Sequence, residues 1–430
     1  MKRHNAREPA PLYFSYMGSL VHLALGPFEV DWGKYNISRL HGEIYQPGDL
    51  TVISGIHVDN EGALHPDERP GASRLLSTVL PRLELLGYTL DAARAEFTAI
   101  ADASDSLGYG ELVWSFDDLA LALATLDVDA AAEDYHTDHD WDDFFSIELF
   151  DRLNLPVRSG DDRPARRTLG KFVENLHPFV ILRLLAENPA NLSRSVTWHY
   201  QEMIDEGWIQ QESISNSIGG VRRFLIVTEG SSDAHIIRKA FEILRPEIAD
   251  FFYFVDMEEG YPFTGTGNLY RFSQGLVAIG IENRVIVLYD NDLEGSLRFR
   301  DTIALNLPSN MRVIQLPELS ELTQFLTVGP NGEAMADING HAAAIECYLD
   351  LAFGQGERDR EPAVRWTAYN EGADAYQGAL EFKEKYAKRF LSLRRRDPEY
   401  DFSKIEAVLT HIVEICISMA APGKRSEGRA

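Results

Sequence analysis

Two short apolar runs that end in carboxylates constrain this chain most. The first, Phe224-Leu225-Ile226-Val227, leads into Thr228-Glu229-Gly230-Ser231-Ser232-Asp233. The second, Val285-Ile286-Val287-Leu288-Tyr289, leads into Asp290-Asn291-Asp292-Leu293-Glu294-Gly295. A helix-like segment follows each. Apolar runs of this length, bounded by turn residues and alternating with helices, read as buried parallel strands. Open α/β sheets collect ligands at the carboxyl ends of their strands. Both acidic clusters are therefore expected on one rim of one sheet. Carboxylates gathered there repel one another unless they share a hard cation, and Mg²⁺ takes carboxylate oxygens while keeping waters and phosphates as its other ligands.

At these residues the segment resembles a Toprim domain, the metal-dependent fold shared by type IA and type II topoisomerases, primases and the overcoming-lysogenization-defect (OLD) nucleases. The carriers are Glu229-Gly230 after the first strand and Asp290-Asn291-Asp292 after a later one, about sixty residues on. The resemblance covers about a quarter of the chain. It implies a phosphodiesterase using Mg²⁺ or Mn²⁺ on nucleic acid, DNA or RNA. Asp290 and Asp292 would hold metal, helped by Glu294, and Glu229 would bind a second metal or act as general base. Asp233, one helical turn from Glu229, would support the same site. OLD nucleases carry further acids and a lysine after the core, for which Glu346 and Lys383 are the counterparts by position. The competing reading of each acid is a turn or helix-surface carboxylate. A topoisomerase would need a nucleophilic Tyr in a large partner domain, and a primase usually carries a zinc element. Neither has support here.

At 430 residues the chain is long enough for two or three domains. No apolar run approaches 18 residues, so no transmembrane helix is expected. The basic start, Met1 to Asn5, has no apolar continuation, which speaks against a signal peptide. Cys347 and Cys416 alone give no disulfide framework and no zinc spacing. A cytoplasmic protein with no membrane contact fits. The net charge of −26 argues against passive binding of nucleic acid over the whole surface. A nucleic-acid enzyme with this charge needs local basic patches and metal ions.

Residues 11–60 read as β-rich, and a helical pattern runs from Gly71 to about Ala101 with breaks near Pro81 and Gly87. From Glu96 to Asp151 there are sixteen Asp or Glu and no Lys or Arg. His136-Thr137-Asp138-His139-Asp140 within it reads as a solvated acidic loop rather than a metal site. Phe179 to Glu187 is helical, and a further amphipathic helix is expected over Ser195 to Glu206. Arg194 and His199 have the Arg-x₄-His spacing of HEPN ribonucleases. That spacing is common by chance, and they read rather as a surface Arg and a packed His. Tyr16 to Leu20 and Leu176 to Leu185 resemble, more loosely, the N-terminal region of HEPN/Toprim-associated bacterial conflict-system proteins. That resemblance implies a sensing module ahead of an effector in anti-phage defence, with a partner protein.

Ser213 to Gly220 reads as a linker. Helices are expected over His235 to Leu244 and Leu269 to Gly280, and strands over Phe251 to Val255 and Arg312 to Leu316. Asp256, Glu258 and Glu259 add acids to the same rim. Gly265-Thr266-Gly267 is a weak phosphate-loop signal. Asp337 to Leu351 carries Ile338, Ala342, Ile345 and Leu349 at helical spacing, and Tyr376 to Leu380 resembles an extension motif of the same conflict-system group. Lys383, Lys385, Lys388, Arg389 and Arg394 to Arg396 form the densest basic patch. The last helix, Phe402 to Met419, either packs on the core or makes a homodimer contact. The expected fold is thus α/β: a Toprim-type parallel sheet flanked by helices (221–328), preceded by a mixed α+β N-terminal domain (1–215) and followed by a helical C-terminal extension (329–430).

Overall fold

The structure is a computed structural model that describes residues 14–15, 22–26, 28–31, 40–58, 64–104, 112–133, 149–155, 163–221, 223–255, 265–352 and 361–420. The Tyr16 to Leu20 motif, the His136 to Asp140 run, the acids at 256–260 and the tail from Pro422 lie outside the described residues. The chain divides into two compact units, Met1–Val221 with Ala420–Ala430, and Arg222–Met419.

In the first unit a six-stranded sheet runs β1 (Phe14–Ser15), β4 (Leu50–Val58), β5 (Leu64–Leu75), β6 (Ser195–His199), β2 (His22–Leu25), β3 (Phe28–Asp31). β1 and β4 pair in parallel and the other neighbours are antiparallel. Helices α1 (Leu76–Leu86), α2 (Leu90–Asp102), α3 (Phe116–Ala124), α4 (Val128–Glu133), α5 (Arg163–Asn175), α6 (Pro178–Leu185), α7 (Gln201–Asp205) and α8 (Gln211–Ser217) accompany it. Helix α1 continues through Pro81 instead of breaking there, and Gly87 caps it in the left-handed conformation. The helix expected over Ser195 to Glu206 is a strand followed by one short helix. Val196, Thr197 and Trp198 are all buried between β2 and β5, and β-branched and aromatic residues suit such a position. Arg194 therefore sits before a strand, paired with Asp129 at 2.6 Å, and His199 ends that strand opposite His22 and Gly71. The stretch read as a linker, Ser213 to Gly220, is largely helix α8.

The second unit is built on a four-stranded parallel sheet in the order β11 (Met311–Gln315), β9 (Arg284–Tyr289), β7 (Phe224–Val227), β8 (Phe252–Phe254). Helix α9 (Ser231–Leu244) links β7 to β8, α10 (Thr266–Ile279) links β8 to β9, and α11 (Leu293–Ile303) links β9 to β11. All four residues of β7 and five of the six of β9 are buried. Alternate residues Leu225, Val227, Val285, Val287 and Val313 pack one face against Leu269 and Leu276 of α10. Each such side chain contributes about 1.5–3 kcal/mol through burial. From β7 the chain first crosses to β8 on one side, then returns to β9 on the other. The carboxyl ends of β7 and β9 thus form the switch point at which such sheets open a crevice.

The segment from residue 325 onward is not the helical extension its pattern suggests. A second sheet, ordered β13 (Gly332–Ala336), β12 (Phe325–Gly329), β15 (Ala363–Asn370), β16 (Ala375–Leu380), occupies much of it. The helix expected over Asp337 to Leu351 is a turn, the two-residue strand β14 (Ala342–Ala343) and a 3-10 turn at Ile345–Tyr348. Gly340, at φ +72°, breaks any helix there. β14 pairs with β10 (Asn291–Asp292). Helices α12 (Lys383–Leu391) and α13 (Ser403–Ala420) complete the elements. Among the described residues no helix is long and apolar enough to cross a membrane.

Candidate active site

Glu229 leaves the end of β7 and Asp290 the end of β9. The two are joined directly, the Asp290 backbone N–H donating to Glu229 Oε1 at 3.0 Å. Thr228 donates its hydroxyl to the Gly230 carbonyl at 2.8 Å. Asp233 turns back to accept from the Gly230 N–H at 3.0 Å, which caps α9 and leaves its carboxylate at a helix N-terminus. Gly265, the first residue of the weak phosphate loop, donates its N–H to the Glu229 carbonyl at 3.0 Å, so that donor is already committed.

Asp290 Oδ1 accepts from the Ile345 N–H at 3.2 Å. Asp292 caps α11: Oδ1 accepts from the Gly295 N–H at 2.7 Å, and Oδ2 accepts from Gln377 Nε2 at 2.7 Å. Gln377 also receives the Glu294 N–H on its Oε1 at 3.1 Å. Glu294 is itself exposed. Between the two aspartates, buried Asn291 holds the returning chain. Its side-chain oxygen accepts the Gly340 N–H at 2.8 Å, and its amide reaches Asn339 at 3.3 Å and Tyr348 at 3.4 Å. Gly295 must lack a side chain, because a Cβ there would lie 2.3 Å from the Asp290 carbonyl oxygen.

The carboxylates sense one another. Glu229 is pushed up to about 8, chiefly by burial and then by the charges of Asp292, Asp233 and Glu294, against the Asp290 N–H that favours its anion. Asp233 is pushed up to about 7, by burial and then by Glu346, with Lys383 opposing. Asp290 lies well above the usual carboxylate range, through burial first and then Asp233, Glu229, Asp292 and Glu346. Glu346 is 5% exposed, and its side chain makes no hydrogen bond or ion pair among the described residues. Lys383 begins α12 after Phe382, a non-glycine residue at φ +59°.

The seven residues singled out in the sequence thus share one edge of the second unit. Gln377, Asn291 and the Ile345 N–H complete it; each lies in a stretch that the sequence flagged, but none was singled out as a site residue. Even so, no three His, Cys, Asp or Glu side chains are drawn together as a ready metal-ligand set among the described residues. No curated protein and no solved structure matches the chain. Residues 17–222, slightly less than half of the chain, match the family model HEPN/Toprim N-terminal domain 1, which supports grouping the first half with HEPN/Toprim-associated proteins.

Proposed function

We propose that the second unit is a Toprim-type phosphodiesterase, dependent on Mg²⁺ or Mn²⁺, that cuts nucleic acid as the effector of a bacterial anti-phage defence protein. The observation that carries this reading is the direct junction of Glu229 and Asp290, 61 residues apart in sequence, at adjacent parallel strand ends. Around it stand Asp233, Asp292 and Glu346, near enough for their charges to raise the proton affinity of Asp290. An all-oxygen, all-acidic donor set suits a hard divalent cation. Asp233, Asp290 and Glu346 would hold it. Asp292 would add its remaining lone pairs, since a carboxylate has about four acceptor positions and two are used here. Bound there, the ion supplies charge for a nucleophilic water and for the oxygens of the phosphate.

The side chains divide the remaining work. Glu229 Oε1 is fixed by the Asp290 N–H, which leaves Oε2 to take the proton of the attacking water. Lys383, exposed and unpaired among the described residues, meets the charge that grows on the phosphate. Gln377 keeps Asp292 and the start of α11 in register.

The test incubates purified protein with plasmid, single-stranded DNA and total RNA, with and without Mn²⁺. Cleavage that needs the metal and is lost in Glu229→Gln and in Asp290→Asn supports the reading. Undiminished cleavage by either variant overturns it. A second reading, a non-catalytic sensing or partner-binding subunit, draws on the lack of a ready ligand set among the described residues. It predicts no thermal stabilisation by Mg²⁺ or Mn²⁺.

A further inference from the structure

The basic stretch from Lys383 to Arg396 is sorted by its surroundings. Arg389 pairs with Asp350 at 3.2 Å and lies 5.0 Å over the Tyr400 ring. Arg396 pairs with Glu406 at 2.9 Å and lies over Phe402. Lys385 stands 5.2 Å over the Phe382 ring. Those three are occupied in holding the fold. Lys383 and Lys388 form no ion pair among the described residues, and both line a cavity of about 590 Å³.

Three further features mark this cavity. Ser232 lines it at the start of α9, a 14-residue helix whose N-terminal end favours anions. Glu346 also lines it, largely buried and with no side-chain hydrogen bond or ion pair among the described residues, and it is one of the acids that act on Asp233 and Asp290. Ala387 and Leu391 add an apolar strip on the α12 face. Lys383 and Lys388 are separated by about 7.5 Å along the helix axis, a spacing on the scale of successive phosphates in an extended strand. Glu384 also lines the cavity, so the lining is not uniformly basic. An anion bound here must meet the lysines individually.

We propose that this cavity seats the phosphate next to the one being cut, with Lys388 as the cation that receives it and Leu391 against the sugar. The proposal rests on the nuclease reading, but it can be judged separately. Asp290→Asn would serve as a non-cutting parent, and binding of fluorescein-labelled single-stranded oligonucleotides would be followed by anisotropy over a salt series. Adding Lys388→Ala should weaken binding of every sequence by a similar factor. It should also flatten the slope of log affinity against log salt by about 0.7, one phosphate contact on a single strand. Lys388→Arg should restore both. Arg395→Ala, on the same stretch but outside the cavity lining, should cost much less. No binding by the parent, no change in slope with Lys388→Ala, or an equal loss with Arg395→Ala would each overturn the cavity assignment. Should the wild-type protein bind the oligonucleotides through Lys388 yet cut nothing with Mn²⁺, the nuclease reading falls, and Lys388 stands as a phosphate contact with no cut beside it.

Discussion

Glu229 and Asp233 hold protons more tightly in the folded chain than in the unfolded one. Their ordinary values are 4.5 and 3.8, and the fold lifts them to about 8 and about 7. A raised value means that the folded state binds more protons across that interval. The associated stability is therefore complete below about pH 4 and is lost as pH climbs through 7 to 8. In EDTA the thermal midpoint should fall between pH 5 and pH 8, and Glu229→Gln should flatten that fall. Differential scanning fluorimetry at several pH values checks both. Glu229 and Asp290 were legible in the sequence because a strand end fixes where the next side chain goes. Gln377 stood within the Tyr376 to Leu380 resemblance, but its bond to Asp292 was not legible, because the two lie 85 residues apart and only the folded β16 brings them together. Replacing Gln377 by Ala should leave the protein folded while lowering metal-dependent cleavage about ten- to hundredfold, the usual cost of freeing a ligand's outer support. Circular dichroism and steady-state cleavage rates separate those two effects.

The strands of the parallel sheet announce themselves as unbroken apolar runs because both of their faces are covered. The failures occur where periodicity is ambiguous. Ile338, Ala342, Ile345 and Leu349 do fall at helical spacing, and all four are buried. They are buried because the chain turns at Gly340 and lays Ala342–Ala343 against Asn291–Asp292, not because one helix face is covered. The Asn339-Gly340 pair was the local signal for that turn. Ser195 to His199 was misread in the same way, since a five-residue central strand is too short to display its own period. Helix α11 supplies a sharper test. Its Gly295 lies against the Asp290 carbonyl, so Gly295→Ala must push the first turn away from β9 despite the higher helix propensity of alanine. Denaturant titration should show a loss of more than about 1 kcal/mol, where an exposed helical site would gain roughly that much. Cleavage should fall with it.

Over the whole molecule the charge of −26 sets the terms for any polyanionic substrate. Affinity must come from a few local cations, so it should fall steeply at modest salt, with bound metal adding to it. For the same reason the second unit should gain measurably from its cation. At a free Mn²⁺ concentration of 100 times its dissociation constant, the full chain should gain about 2.7 kcal/mol, visible as a raised midpoint that Asp290→Asn abolishes. The match over residues 17–222 concerns the first unit alone, and the chemistry proposed for the second rests on its own carboxylates.

The grip of Asn291 on the returning chain has a temporal consequence. Synthesis delivers β7, β9 and β11 by residue 315, with Glu229, Gly295 and Gln315 already able to hold Asp290 and Asp292, yet the remaining groups that clasp residues 290–292 come from Asn339, Gly340, Ile345, Tyr348 and Gln377. Domains fold as their residues leave the ribosome, N-terminal parts first. A nascent chain can thus close its sheet while its acidic rim is only partly braced. On the nuclease reading proposed above, the enzyme would become competent only when the translation of this unit is nearly done.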